Sequence, residues 1–377
     1  MLMRNFSAAT LQLIMLFFIL FAPLTGRAAP LYTVTVLPDI DFSVTGMNNA
    51  GQIVGFAGNG AGAIHTVLYS DGMLTDLGDF GGKDSYGTAI NDAGAITGSI
   101  LTASGEQHAF VYRDGALLDL GAGTAGYGIN SQGDVVGSRQ TANGLSGFIY
   151  RNGTLTELGR LGTGTESVAV AINDDGAVVG DSTTNSASSS ATRHPFLYRD
   201  GTMHDLGALG NHAITGVVAV NNAGQIAGYS GNADAYTNAF LYDRGVLRDL
   251  GGFGDEGLLE IHDLNAHGTL VGTAFTEDEG LTPFISLGDV LVDLNTLVDP
   301  SLGWRLFSAY ANNDLGQIVG YGCRDETCGL VRLDLAGAVP EPGTAMLLAA
   351  GLLVLPATRR RITLALEQMA RHARCTG

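Results

Sequence analysis

One eight-residue pattern, Asn-x-x-Gly-x-(apolar)-x-Gly, recurs seven times and limits the possible folds more than any other feature of the chain. It reads NNAGQIVG from Asn48, NDAGAITG from Asn91, NSQGDVVG from Asn130 and NDDGAVVG from Asn173. It continues as NNAGQIAG from Asn221, NAHGTLVG from Asn265 and NDLGQIVG from Asn313. Successive asparagines lie 43, 39, 43, 48, 44 and 48 residues apart. That is the size of a four-stranded sheet unit rather than of a two-helix one.

Each unit reads as four short strands. In the fourth, ESVAVAIN alternates apolar residues up to Asn173, whose side chain can cap its own turn while Gly176 takes a left-handed conformation. GAVVGDS is the second strand, and PFLYR, rich in aromatic and branched residues, is the third. Asp200-Gly201 then signals a two-residue hairpin of the primed type, as do Asp71-Gly72, Asp114-Gly115 and Asn152-Gly153 at the same place in other units. TMHDLG is the fourth strand, and no helix-period stretch intervenes. The expected fold is therefore all-β, a seven-bladed β-propeller of four-stranded blades spanning 31–335. An open β-solenoid is the alternative. The termini favour a closed ring, because the seventh unit lacks a fourth strand and YTVTVLPDID, from Tyr32, matches the fourth-strand segment MLTDLGDFGG of the first unit.

Polar residues recur inside these units and invite a catalytic reading. The histidine that opens the third strand is His65, His108 and His194, but its equivalents elsewhere are Ser146, Asn238, Thr282 and Gly329. A ligand or general base does not normally exchange with glycine, so these are expected to be structural histidines. Asp76, Asp119, Asp205 and Asp249, with Glu157 in the third unit, are expected to hydrogen-bond backbone N–H groups. Phe110 with Tyr112, and Phe196 with Tyr198, stand two apart, share a strand face and should pack between blades. Nucleophile elbows, His-Glu-x-x-His helices and phosphate loops are absent from the sequence, so no catalytic or cofactor-binding residue is assigned.

The flanks read differently. Residues 1–28 look like a secretory signal, with Arg4, an apolar run from Leu13 to Ala22, and small residues around Arg27 for cleavage. Residues 339–361 contain a short apolar stretch, Gly343 to Ala357, followed by Arg359, Arg360 and Arg361, which would stay on the cytoplasmic side. Residues 362–377 form a cytoplasmic tail. Pro340 and Pro342 keep Glu341 extended and accessible just outside the membrane. Export agrees with cysteine use: Cys323 and Cys328 frame CRDETC, a loop suited to a disulfide that would contribute about 2 kcal/mol on the chain-entropy estimate.

The formal net charge is −18, and Lys83 is the only lysine. Such a surface repels phosphate backbones, which argues against nucleic-acid partners. The loops between second and third strands differ in every unit, so one face is adaptable while the face carrying the Asn-x-x-Gly and Asp-Gly turns is uniform. No metal site is assigned, although Glu277-Asp278-Glu279 and Asp255-Glu256 could collect calcium on the variable face.

The unit NDAGAITG followed by HAFVYRDGALLDLG resembles the HAF-type extracellular repeat of exported bacterial proteins, and the likeness covers nearly all of Tyr32 to Leu335. The segment VPEPGTAMLLAAGLLVLPATRRR resembles a PEP-CTERM sorting signal, with Pro340, Glu341, Pro342 and Arg359 to Arg361 as its motif. That resemblance implies an exosortase as processing partner, an inner-membrane-anchored precursor, and a final place at the cell surface or in an exopolysaccharide matrix. The family signal usually stops at the basic cluster, whereas ITLALEQMARHARCTG continues here. The expected function is a non-enzymatic surface or matrix component that binds polysaccharide or a surface protein. The competing expectation is a polysaccharide lyase or glycoside hydrolase, for which an acid pair or a tyrosine–histidine pair should converge at the channel.

Overall fold

The computed structural model of the protein describes residues 31–37, 42–185, 193–207, 214–231, 237–252, 258–276 and 280–336. These form seven four-stranded antiparallel sheets arranged as the blades of one ring. The fourth blade is typical: Ser167–Ile172, Val178–Thr183, Arg193–Arg199 and Thr202–Asp205 pair in sequence order. The innermost strands of the first six blades are Ser43–Met47, Asp84–Ile90, Thr124–Ile129, Ser167–Ile172, Ile214–Val220 and Leu258–Leu264.

The seventh blade closes the ring. Its chain-order strands, Trp304–Asn312, Ile318–Arg324 and Thr327–Leu335, are completed by Tyr32–Val36, which pairs antiparallel with Thr327–Leu335 from Tyr32↔Leu335 to Val36↔Val331. The expected propeller, with the shared seventh blade, is what the chain adopts, and the solenoid alternative falls. The Ala336 N–H also donates to the Leu31 carbonyl at 2.8 Å, so both flanking segments leave the ring at one point.

Residue chemistry explains the repeat. The first motif glycine ends the tight turn at positive φ, from +74° at Gly316 to +84° at Gly133. The second answers a close approach: a Cβ on Gly180 would lie 1.9 Å from the Val168 carbonyl oxygen and 2.9 Å from the Phe196 ring. Phe110, Phe148, Phe196, Phe240 and Phe284 occupy that place in five blades, each fully buried. Each contributes about 2–3 kcal/mol by leaving water. They pack between blades as expected, Phe110 against Val54 of the previous blade and Phe196 against Val136 and Ile149 of the previous blade. The third-to-fourth strand hairpins of the first five blades have positive φ at both central residues, as in Asp200 (+51°) and Gly201 (+78°), which is the primed geometry.

Two features depart from the strand-by-strand expectation. Each innermost strand carries a β-bulge three residues before its motif asparagine, seen as a register shift between Val44 and Gly46, Ala169 and Ala171, and Ile261 and Asp263, for example. The crossing from the sixth to the seventh blade contains two short 3-10 turns, Leu294–Leu297 and Pro300–Leu302, capped by Asp293 and Asp299. The flanking segments 1–28, 339–361 and 362–377, the sorting residues Pro340, Glu341, Pro342 and Arg359 to Arg361, and the acidic stretches 255–256 and 277–279 lie outside the described residues. Among the described residues no helix is long and apolar enough to cross a membrane.

Candidate functional site

Antiparallel order puts the Asn-x-x-Gly turn and the third-to-fourth strand hairpin of each of the first six blades on one face. In the third blade Arg151 Nε donates to Asp134 Oδ2 at 2.8 Å and ties the two turns together, and in the seventh Gln317 Nε2 donates to Asp334 Oδ1, at the end of the third strand, at 2.7 Å. At the centre of this face the seven motif asparagines form a closed ring of hydrogen bonds. Each Nδ2 donates to the main-chain carbonyl of the next blade's asparagine: Asn48 to Asn91 at 3.0 Å, Asn91 to Asn130 at 2.8 Å, and Asn130 to Asn173 at 3.2 Å. The circuit continues from Asn173 to Asn221 at 3.1 Å, Asn221 to Asn265 at 3.0 Å, Asn265 to Asn313 at 3.1 Å and Asn313 back to Asn48 at 3.2 Å. Each Oδ1 accepts the N–H four residues on, as Asn173 does from Ala177 at 2.9 Å. That acceptor role fixes the orientation of the amide. Turn capping was legible in the sequence; the stitching of blade to blade was not.

A second polar layer sits beside it, contributed by the residue after each asparagine. Asn49 Nδ2 bridges Asp92 Oδ2 at 2.9 Å and Asp314 Oδ2 at 2.8 Å. Asp174 accepts from the Ser131 N–H at 2.9 Å and from Asn222 Nδ2 at 2.7 Å. Burial pushes the Asp174 carboxyl up, but the bonds from Ser131 and Asn222 outweigh it and hold the group below the usual carboxylate range. These layers line a pocket of about 200 Å³. Its carboxylates are occupied by amide donors, so the geometry is that of a clasp.

The repeated polar residues of the outer strands also have local partners. Nδ1 of His65, His108 and His194 lies 2.9, 2.8 and 2.9 Å from Asp76, Asp119 and Asp205 respectively. Asn238 takes the same place in the fifth blade, 3.1 Å from Asp249. Each aspartate also accepts the glycine N–H two residues on, at 2.8 Å from Gly78 and 2.7 Å from Gly121 and Gly207. An ionised carboxylate only accepts, so the histidine Nδ1–H is the donor. Burial works against the Asp76 charge, but the bonds from His65 and Gly78 lower its pKa overall. Cys323 and Cys328 face each other across the seventh blade's outer hairpin and are joined as a disulfide.

The channel wall towards the opposite face is less uniform. On the innermost strand of the sixth blade Glu260 and His262 share a face, with Nε2 3.5 Å from Oε2. The His262 ring stacks on Tyr310, the equivalent bulge residue of the seventh blade, with 5.8 Å between centroids and planes 2° apart. Tyr229, on the second strand of the fifth blade, lies near Glu260, its ring over Gly216, where a Cβ would meet the hydroxyl at 2.6 Å. Burial raises the Tyr229 hydroxyl pKa, and the carboxylates of Asp181 and Glu260 add to that against the Arg193 charge. Burial likewise pushes Asp181 up to about 7, against the Val217 N–H it accepts at 3.2 Å and the nearby Arg193. Arg193 itself pairs with Glu166 at 2.6 Å.

A second half-buried acid lies between the sixth and seventh blades. Asp263 stands where the other innermost strands carry Gly46, Ala89, Gly128, Ala171, Ala219 and Ala311. It accepts the N–H of Asn312 at 3.0 Å and of Leu264 at 2.8 Å, yet burial pushes it up to about 6. None of these wall residues was singled out from sequence. Aligning the seven units residue by residue marks Asp263 as the odd member of a small-residue column, and that was the available signal.

The ring is thus a velcro-closed seven-bladed propeller with an amide clasp at one mouth and an ionisable wall towards the other. No family model matches the chain, and no curated protein does. Its fold is similar to that of the β-propeller domain of the trilobed protease from Pyrococcus furiosus, with 10% identity, a TM-score of 0.50, and coverage of 67% of this chain and 81% of that one. It is also similar to a prolyl endopeptidase, with 11% identity, a TM-score of 0.51, and coverage of 88% and 56%. TolB from Acinetobacter baumannii matches at 13% identity with a TM-score of 0.44 over 63% of this chain, which spans 61% of TolB's length. These likenesses are of fold alone.

Proposed function

We propose that the protein is an exported, non-enzymatic propeller of the HAF-repeat type, anchored and then processed by an exosortase at Pro340-Glu341-Pro342, that binds polymer at the cell surface or in an exopolysaccharide matrix. The observation that carries this reading is the closed ring of seven asparagine amides, in which the polar groups shared by all seven blades serve blade-to-blade assembly. A rigid, highly acidic ring with a uniform turn face and variable loops opposite is a scaffold for presenting a binding surface. The shared exit of both flanks at Leu31 and Ala336 supports the sorting part, since the motif begins four residues beyond the last strand-side hydrogen bond and a cut there would free the ring intact.

The second reading, a polysaccharide lyase or glycoside hydrolase, is favoured by the Glu260–His262–Tyr310 group, a carboxylate, an imidazole and a phenol meeting on the channel wall. One experiment separates them. Full-length protein is incubated with exopolysaccharide from the producing cells, and co-sedimentation and polymer chain length are measured together, with and without calcium. Retention on polymer of unchanged length is the expected result. Shortened chains would replace the scaffold reading with the enzyme, and a calcium requirement would assign the acidic loops.

A further inference from the structure

The channel wall of the fifth to seventh blades carries the clearest break in the molecule's sevenfold repetition. At the bulge position the other innermost strands present Thr45, Thr88, Tyr127, Val170 and Val218, whereas the sixth and seventh blades present His262 and Tyr310, stacked face to face. Two residues earlier on the same strand stands Glu260, whose side chain is 83% exposed. Tyr229, on the fifth blade, lies near Glu260. We propose that this wall is a binding subsite for an amine-bearing saccharide, with the Glu260 carboxylate holding the ammonium group and the Tyr310, His262 and Tyr229 rings flanking the sugar.

The argument is one of charge and shape. Glu260 is an exposed carboxylate near the Tyr310 and Tyr229 rings, whose quadrupoles also favour a cation. The nearby arginines are engaged elsewhere: Arg193 with Glu166 at 2.6 Å, and Arg305 over the Phe307 ring at 5.5 Å. A uronate polymer would meet Glu260 and the −18 net charge of the chain, and is disfavoured. A flat sugar ring bearing an ammonium group satisfies both the aromatic faces and the acid. The inference rests on the polymer-binding reading above and names the chemistry of the polymer.

The test is calorimetric titration of the full-length protein with three tetrasaccharides, of glucosamine, N-acetylglucosamine and galacturonate, at a pH where the free amines are protonated. Glucosamine tetrasaccharide is expected to bind about tenfold tighter than its acetylated form, a difference set by one ammonium–carboxylate contact and cation–π attraction. Glu260→Gln should erase that preference, Tyr310→Leu should weaken binding, and Tyr310→Phe, which keeps the ring face, should retain it. Tyr127→Phe, on the far side of the ring, should change nothing, and circular dichroism checks that each variant is folded. Equal binding of the acetylated and free-amine sugars, or unchanged binding by Glu260→Gln, overturns the proposal. Retention on the cells' own polymer without any amine preference would overturn the subsite and leave the polymer reading standing. Glucosamine binding without retention on that polymer would do the reverse.

Discussion

At the scale of single residues, the motif asparagine does two jobs at once, and substitutions separate them. Asn173→Ala removes both the Oδ1 cap on the Ala177 N–H and the Nδ2 bond to the Asn221 carbonyl, and should cost about 2–3 kcal/mol in a denaturant titration. Asn173→Asp keeps the cap but sets a buried carboxylate against that carbonyl. It should be worse than alanine at neutral pH and partly recover in acid, where the protonated group can donate again. Gly180→Ala should cost about 3 kcal/mol, since the new Cβ would lie 1.9 Å from a backbone oxygen that cannot move without its strand. Arg244 is the opposite case. It holds φ of +51° at a hairpin position where the first four blades use aspartate or asparagine, so Arg244→Asn should raise stability by about 0.5–1 kcal/mol, read as a higher Tm. These roles were largely legible in advance: the turn glycines and the Asp-Gly hairpins stand in the repeat, and the exception at Arg244 stands out against it. The amide donation to the next blade was not, because its partner is another turn 48 residues away.

At the scale of elements, the repeated bulge decides which side chains reach the channel and which are buried. At the same scale, acids held between blades set the pH response. Asp181, pushed up to about 7, and Asp263, pushed up to about 6, bind protons in the folded chain at pH values where the unfolded chain has lost them. Their linkage therefore favours the fold at mildly acidic pH and weakens it as pH rises from about 4 to about 7. The expected signature is a higher Tm near pH 5 than near pH 8, corresponding to roughly 2 kcal/mol or more, with the difference reduced in Asp181→Asn. A flat profile between those pH values would contradict it. Asp76 and Asp174 act with the other sign: their lowered pKa values contribute stability above about pH 4 that is lost as pH falls further. The alternation of apolar residues in a strand such as ESVAVAIN gave no warning of the bulge, since a period-two pattern assumes that the pleat continues unbroken.

At the scale of the whole molecule, closure depends on five residues at one end of the described chain. Without Tyr32–Val36 the strand Thr327–Leu335 becomes an open edge, and Tyr32 leaves the cluster it shares with Val331 and Leu333. Deleting those five residues should lower the unfolding temperature and add self-association that the intact chain does not show, as a thermal melt and size-exclusion chromatography run beside the intact chain would reveal. A truncated chain that eluted and melted like the intact one would mean that the ring does not need its clasp. Reducing the Cys323–Cys328 bridge should matter far less, by about 2 kcal/mol, because the loop it closes is short and the hairpin around it is already paired.

By itself the sequence determined the unit, the number of blades, the turn types and the closing strand. Those depend on local backbone chemistry repeated seven times and on one missing strand matched by one spare. Only the tertiary structure decided which units touch and through which atoms. The asparagine ring, the half-buried Asp181 and Asp263, and the group of Tyr229, Glu260, His262 and Tyr310 each join residues from different blades. Their meeting depends on how far the innermost strands lie from the axis and on a bulge that turns the pleat, and neither is recorded in the spacing of residues along a single strand.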